Sequence, residues 1–149
     1  MTKLDHALRG VQRLGVDTAP VIYFIETNPR YAALVTEIFQ RISNRVFEGL
    51  CSVITLTEVL VQPLRQGDQQ VAQDYTDLLL HSRHFATVSI DPTIATTAGD
   101  LRARYNLRTP DALQIAAALE NGCQAFLTND TALKRVIEIQ VLVLDDLEL

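Results

Sequence analysis

The sequence predicts an α/β fold of three layers, α/β/α, with a central parallel sheet of about five strands flanked by helices. Three observations lead there. Short β-rich apolar runs recur along the chain, stretches of helical period separate them, and turn or polar residues bound each run. Strands separated by helices pair in parallel, and such a sheet is covered on both faces. Right-handed crossovers leave few other topologies.

The elements follow in order. A weak strand, VQRLGVD (11–17), made polar by Gln12 and Arg13, leads into a helix over PVIYFIE (20–26). In 31–47, Val35, Ile38, Phe39, Ile42 and Val46 fall at i, i+3, i+4, i+7 and i+11, one face of a helix. The second strand is CSVIT (51–55), followed by helices over TEVLVQPLRQ (57–66) and DQQVAQDYTDLLLHS (68–82). FATVSI (85–90) is the third strand. Ile94, Ala98, Leu101 and Tyr105 then mark a helix over 93–105. A buried helix over Ala112–Leu119, apolar but for Gln114, leads to strand QAFLT (124–128), short helix TALKRV and strand QVLVL (140–144).

Length and composition favour one domain over 1–149, since this many residues can bury a full core. Hydrophobic residues make up 48% and the charges are mixed, which argues against disorder. The longest apolar runs fall well short of the ~20 residues a membrane span needs. Nothing at the N-terminus reads as a secretory signal. Two cysteines in apolar contexts, Cys51 and Cys123, make no disulfide framework, so a reduced, cytoplasmic protein is expected.

The net charge of −5 speaks against a uniformly basic nucleic-acid binder. With four acids gathered at one metal site, however, the remaining acids nearly balance the 13 cations.

Sites in such folds gather beyond the carboxyl ends of the strands. Four acids stand there. Asp17 closes the first strand, Glu58 follows the second, Asp130 follows the fourth, and Asp111 opens the buried helix. Side chains near helix starts point back toward the N-terminus, so all four can converge on one rim.

Each also has a structural reading. Asp17 or Thr18 suits the cap of the first helix, and Thr55-x-x-Glu58 satisfies a capping box. In Thr109-Pro110-Asp111, Thr109 suits N-cap, Pro110 N1 and Asp111 N2. Asp130 suits the cap of TALKRV. Caps stabilise by about 1 kcal/mol each but need no common location.

Convergence has an electrostatic consequence. Two carboxylates ~6 Å apart at an effective dielectric of ~20 repel by roughly 3 kcal/mol. Six such pairs rival the ~5–15 kcal/mol that holds a domain together. Protonation or bound cations must relieve this. Oxygen-only ligands favour Mg²⁺ or Mn²⁺ over zinc, and carboxylate-held Mg²⁺ commonly serves phosphate chemistry. The absence of a Walker-type loop and of a dinucleotide fingerprint leaves phosphodiester hydrolysis as the economical reading.

VDTAPVIYFIE, ITLTEVLVQPLR, LRTPDALQIAAALENGCQAFLTND and VLVLDDL resemble the PIN-domain nucleases, specifically the VapC-type toxins of toxin–antitoxin pairs. These segments lie in family order from about Val16 to the end. The resemblance implies that Asp17, Glu58, Asp111 and Asp130 form the acidic, catalytic metal-binding quartet, with Thr18, Thr128 and Asn129 in support. Thr128 and Asn129 match the pair that braces the last acid. It further implies Mg²⁺- or Mn²⁺-dependent cleavage of an RNA substrate, a homodimer, and inhibition by a small cognate antitoxin protein whose tail enters the active-site groove. The chain departs from the family in residues 1–15, an extra segment that is a short helix or an arm.

Arg102, Arg104 and Arg108 approach the Asp111 edge and are candidates for RNA phosphates, with a solvated helix face as the equal alternative. Glu26 is a lesser candidate for the groove. His81 and His84 have a metal-pair spacing but lack a third ligand. Asp100 reads as solvated, Asp145 and Asp146 as turn residues, and Lys134 as a partner of Asp130. The rival functions are a catalytically silent PIN module binding RNA or a protein partner, a receiver-like phosphoacceptor, and a flap nuclease. The intact quartet, the lack of an acidic neighbour at Asp17, and the lack of an added arch weigh against them respectively.

Overall fold

The computed structural model describes all 149 residues. Five strands form one parallel sheet: β1 (Arg13–Val16), β2 (Glu48–Ser52), β3 (Phe85–Val88), β4 (Ala125–Thr128) and β5 (Gln140–Val143), ordered β3-β2-β1-β4-β5. Helices α1 (Lys3–Ala7), α2 (Thr18–Ile25), α3 (Ala32–Ser43), α4 (Val53–Gln66) and α5 (Gln69–His81) precede β3. Helices α6 (Pro92–Tyr105) and α7 (Thr109–Glu120) follow it, and 3₁₀ turns cover Thr131–Arg135 and Leu144–Asp146. No helix is long and apolar enough to cross a membrane.

The sheet divides two apolar cores. Leu14, Val16 and Leu127 meet Val35, Ile38, Val59 and Tyr75 on one face. Leu50 and Phe126 meet Ile94, Leu101, Ile115 and Leu133 on the other. The expected three layers are therefore present. The chain runs outward from β1 to β3, then returns to the other side of β1 for β4 and β5. That reversal opens a crevice at the carboxyl ends of β1 and β4.

Gly15 makes close packing at the centre possible. A Cβ there would lie 2.7 Å from Cβ of Ala118 and 3.0 Å from Cδ1 of Phe126. Glycine in β1 and alanine in α7 bring the helix against the middle of the sheet.

Several boundaries differ from the sequence reading. The second strand is Glu48–Ser52, not 51–55, and α4 begins at Val53. The Ser52 hydroxyl accepts from the Ile54 amide and caps α4, so the β-branched residues after it are helical. Val46 does not extend the apolar face of α3. That helix ends at Ser43, Arg45 turns to φ 60°, and Val46 is 64% exposed.

The extra N-terminal segment contains a short helix. Thr2 and Asp5 form its capping box, Arg41 of α3 holds Asp5 at 2.9 Å, and Leu4 is fully buried. The polar start of β1 is satisfied in kind: the Gln12 and Arg13 amides each donate to Oε1 of Gln124 at 2.8 Å.

Candidate active site

Asp17, Glu58, Asp111 and Asp130 line one cavity of about 340 Å³, together with Thr18, Tyr23, Arg108, Thr128 and Asn129. Each acid is delivered by a different element. Asp17 is the N-cap of α2 and accepts from the Thr18 amide at 2.8 Å. Glu58 extends from the second turn of α4. Asp111 lies in the first turn of α7, and Asp130 caps the 3₁₀ turn by accepting from the Ala132 amide at 2.9 Å. Helix starts carry partial positive charge, which favours carboxylates at the first turns of α2 and α7.

Two sequence readings of these residues are corrected. Thr55 and Glu58 form no capping box, because Ser52 is the cap and Thr55 lies buried inside α4. Glu58 is thereby released from a structural duty at the helix start. At α7 the N-cap is Arg108, without a side-chain cap, so Thr109, Pro110 and Asp111 each stand one position further into the helix than expected.

The supporting hydroxyls hold the acids in place. Thr128 Oγ1 donates to Oδ2 of Asp17 at 2.8 Å and accepts from the Asp130 amide at 3.1 Å. Thr18 Oγ1 donates to Oε1 of Glu58 at 2.6 Å. Asn129 behaves differently from the expectation that it braces the last acid. Its Nδ2 donates to the Tyr23 hydroxyl at 2.9 Å, and its buried Oδ1 has no partner. Tyr23 in turn stacks on Tyr31, ring centroids 4.7 Å apart.

Sequence reasoning noted Gln114 only as a polar exception, yet it ties this region together. It is 3% exposed and bonds to Ser52, Thr55 and Thr18, bridging α7 to the starts of α4 and α2. The signal for it was present: a lone amide in an otherwise apolar buried helix must be satisfied by other polar groups.

The three candidate arginines separate. Only Arg108 reaches the cavity, where its Nε lies 2.9 Å from Oδ2 of Asp111 while its side chain stays 78% exposed. Arg102 donates instead to the Leu107 carbonyl, and Arg104 is held by Asp100 and Glu138 at 2.7 Å each. Lys134 pairs with Asp146 rather than with Asp130. Glu26 accepts from the Tyr75 hydroxyl and lines an adjoining cavity that also includes Glu58.

Four acids thus face one arginine. Burial, joined by the charges of Asp111 and Glu58, pushes the Asp17 carboxyl above its usual range, and the Thr128 and Thr18 hydrogen bonds hold it back only in part. Arg108 is pushed up chiefly by its hydrogen bond to Asp111.

An ion would relieve this excess of negative charge. The carboxylates and hydroxyls offer only hard oxygen donors, suited to Mg²⁺ or Mn²⁺, and the orphaned Asn129 Oδ1 is an acceptor for a further donor. No three acids close on one point as they stand, with Asp111 engaged by Arg108 and Asp130 by its cap. The oxygen donors suit a divalent ion, which Asp17, Glu58, Asp111 and Asp130 would hold only with these partners given up.

Comparison with known proteins gives a consistent picture. The family model described as PIN domain matches residues 15–139. No curated protein matches the chain. Among solved structures, a chain of VapBC2 from Rickettsia felis, bound to a promoter DNA fragment, aligns with TM-score 0.69 and 17% identity over 88% of this chain and 98% of that one. A chain of a toxin–antitoxin complex from Klebsiella pneumoniae aligns with TM-score 0.65 and 21% identity, over 89% and 97%. A chain of DNA-bound VapBC from Salmonella typhimurium gives 0.64 and 18%, over 90% and 98%. At these identities the likeness is one of fold.

Proposed function

This chain belongs to the PIN-domain family, and from that premise we propose that it is a metal-dependent endoribonuclease, the toxin of a toxin–antitoxin pair. The observation that carries the reading is the meeting of Asp17, Glu58, Asp111 and Asp130 in one cavity, from elements far apart in the chain. Caps alone have no need of a shared location. The fold likeness to chains of toxin–antitoxin complexes supports a cognate antitoxin as partner. That the antitoxin is small and inhibits the chain, and that the chain assembles as a homodimer, belong to the same proposal and rest on the family resemblance of the sequence.

In this reading the four acids hold Mg²⁺ or Mn²⁺. The ion supplies Lewis acidity toward a phosphodiester and activates water at neutral pH. The chain's own groups arrange the rest. Thr128 and the Thr18 amide orient Asp17, and the Thr18 hydroxyl orients Glu58. Arg108 is exposed at the rim beside Asp111, and its guanidinium would there be placed to hold an RNA phosphate.

The test is cleavage of total cellular RNA by the purified protein, freed of any antitoxin. Cutting is expected with Mg²⁺ or Mn²⁺ and not in excess chelator, and Asp111→Asn is expected to abolish it with the unfolding transition retained. Full activity in chelator, or in Asp111→Asn, overturns the reading.

A further inference from the structure

We infer that Gln114 is a positioning residue, whose amide sets the direction of the Thr18 hydroxyl proton and so aims the Glu58 carboxylate at the ion. The inference rests on the function proposed above and adds to it a residue outside the acidic quartet.

The geometry fixes the polarity of the network. The Ser52 amide, which can only donate, faces Gln114 Oε1 at 3.4 Å, and the Ser52 hydroxyl donates to the same oxygen at 2.6 Å. The Ser52 hydroxyl oxygen meanwhile accepts from the Ile54 amide at 3.2 Å, which leaves its proton for Gln114. Oε1 therefore points toward β2, and the amide is not free to flip. Nε2 then faces the other way and spends its two protons on Thr18 Oγ1, at 3.1 Å, and on Thr55 Oγ1.

An amide nitrogen of this kind donates and does not accept. Both threonine oxygens accept from it, which leaves the Thr18 proton two acceptors, Thr55 Oγ1 at 3.1 Å and a carboxylate that is both nearer and charged. The proton goes to that carboxylate, Glu58 Oε1 at 2.6 Å. The order of donation runs from Ser52 through Gln114 and Thr18 to Glu58. One carboxylate oxygen of Glu58 is held by a donor, and the other is left to the cavity. Oriented outer partners of metal ligands commonly account for about 10–100-fold in metal affinity.

The arrangement is specific to an amide. A carboxylate at position 114 offers no donor, so Thr18 and Thr55 would turn their protons inward and Glu58 would face a bare oxygen. Methionine keeps the approximate volume and removes the polarity altogether.

The experiment is titration of Mn²⁺ alone into the metal-free protein by calorimetry, for wild type, Gln114→Met, Gln114→Glu, Thr18→Val and the double variant Thr18→Val/Gln114→Met. Each single change is expected to weaken Mn²⁺ binding about tenfold. The double variant is expected to bind no worse than Thr18→Val, because Gln114 acts through that hydroxyl. Under single-turnover cleavage the Gln114 variants are expected to lose rate while half-saturating RNA changes by less than about twofold. Wild-type affinity in both Gln114 variants, or losses that multiply in the double variant, overturns the inference. Failure of the wild type itself to bind Mn²⁺ overturns the proposed function, and this inference with it.

Discussion

The Thr128 hydroxyl donates to Oδ2 of Asp17 at 2.8 Å, so the last residue of β4 steadies the carboxylate at the exit of the neighbouring strand β1. That bond opposes burial and the nearby acids, which together make Asp17 hard to ionise. Between the ordinary carboxylate pKa and the raised folded one, the folded protein holds a proton that the unfolded chain has released. Metal-free stability therefore falls as pH rises through that interval. Asp17→Asn is expected to stabilise the metal-free protein at neutral pH, on the order of 1 kcal/mol, while abolishing cleavage. Thermal unfolding in chelator reads the gain, and an Asn variant that melts below wild type counts against it.

Arg108 is distinguished from Arg102 and Arg104 by what each already holds. Arg108→Ala is expected to raise the RNA concentration needed for half-saturation and to reduce the salt dependence of binding by about 0.7 in log–log slope, one phosphate contact on a single strand. Arg102→Ala and Arg104→Ala are expected to leave that slope unchanged, since a carbonyl and two carboxylates occupy them. Equal effects from Arg104→Ala and Arg108→Ala would refute the assignment.

Gly15 carries a packing prediction independent of function. Gly15→Ala forces Ala118 or Phe126 aside at the centre of the sheet, a strain costing about 1–3 kcal/mol. Urea unfolding is the measurement, and a cost near zero would mean that α7 yields without penalty.

Asp5 joins α1 to the body of the protein, and its pH response runs opposite to that of Asp17. The Thr2 backbone and side chain, then Arg41, hold its carboxyl at about 2. A lowered folded pKa gives stability that is complete above the ordinary value of 3.8 and lost as pH falls toward about 2. Asp5→Asn is expected to destabilise the protein at neutral pH and to approach wild type in acid, measured by denaturant titration at the two extremes. A gap of the same size at both would show that the ion pair is irrelevant.

The alternation of periods was sufficient to read the layers, and the four acids were legible because Asp17 and Asp130 sit at strand exits and Glu58 and Asp111 in the early turns of helices. The misreadings have local causes. Val53, Ile54 and Thr55 favour strand by type, but Ser52 caps the Ile54 amide and starts a helix. Val46 continued an apolar rhythm that the backbone interrupts at Arg45. Arg104 shared a stretch of sequence with Arg108, yet Glu138, distant in sequence, claims its guanidinium. Gln114 was visible as an exception, but its partners Ser52, Thr55 and Thr18 meet it only after the helices dock. Pairing across the fold is what periodicity cannot carry.

The cavity draws its acids from both ends of the chain, from Asp17 near the start to Asp130 beyond the last long helix. A ribosome making this protein therefore releases most of the polypeptide before the final carboxylate can join the others. Incomplete translation products that stop before β4 lack part of the quartet, so the activity proposed above would be available only once β4 has emerged and docked beside β1.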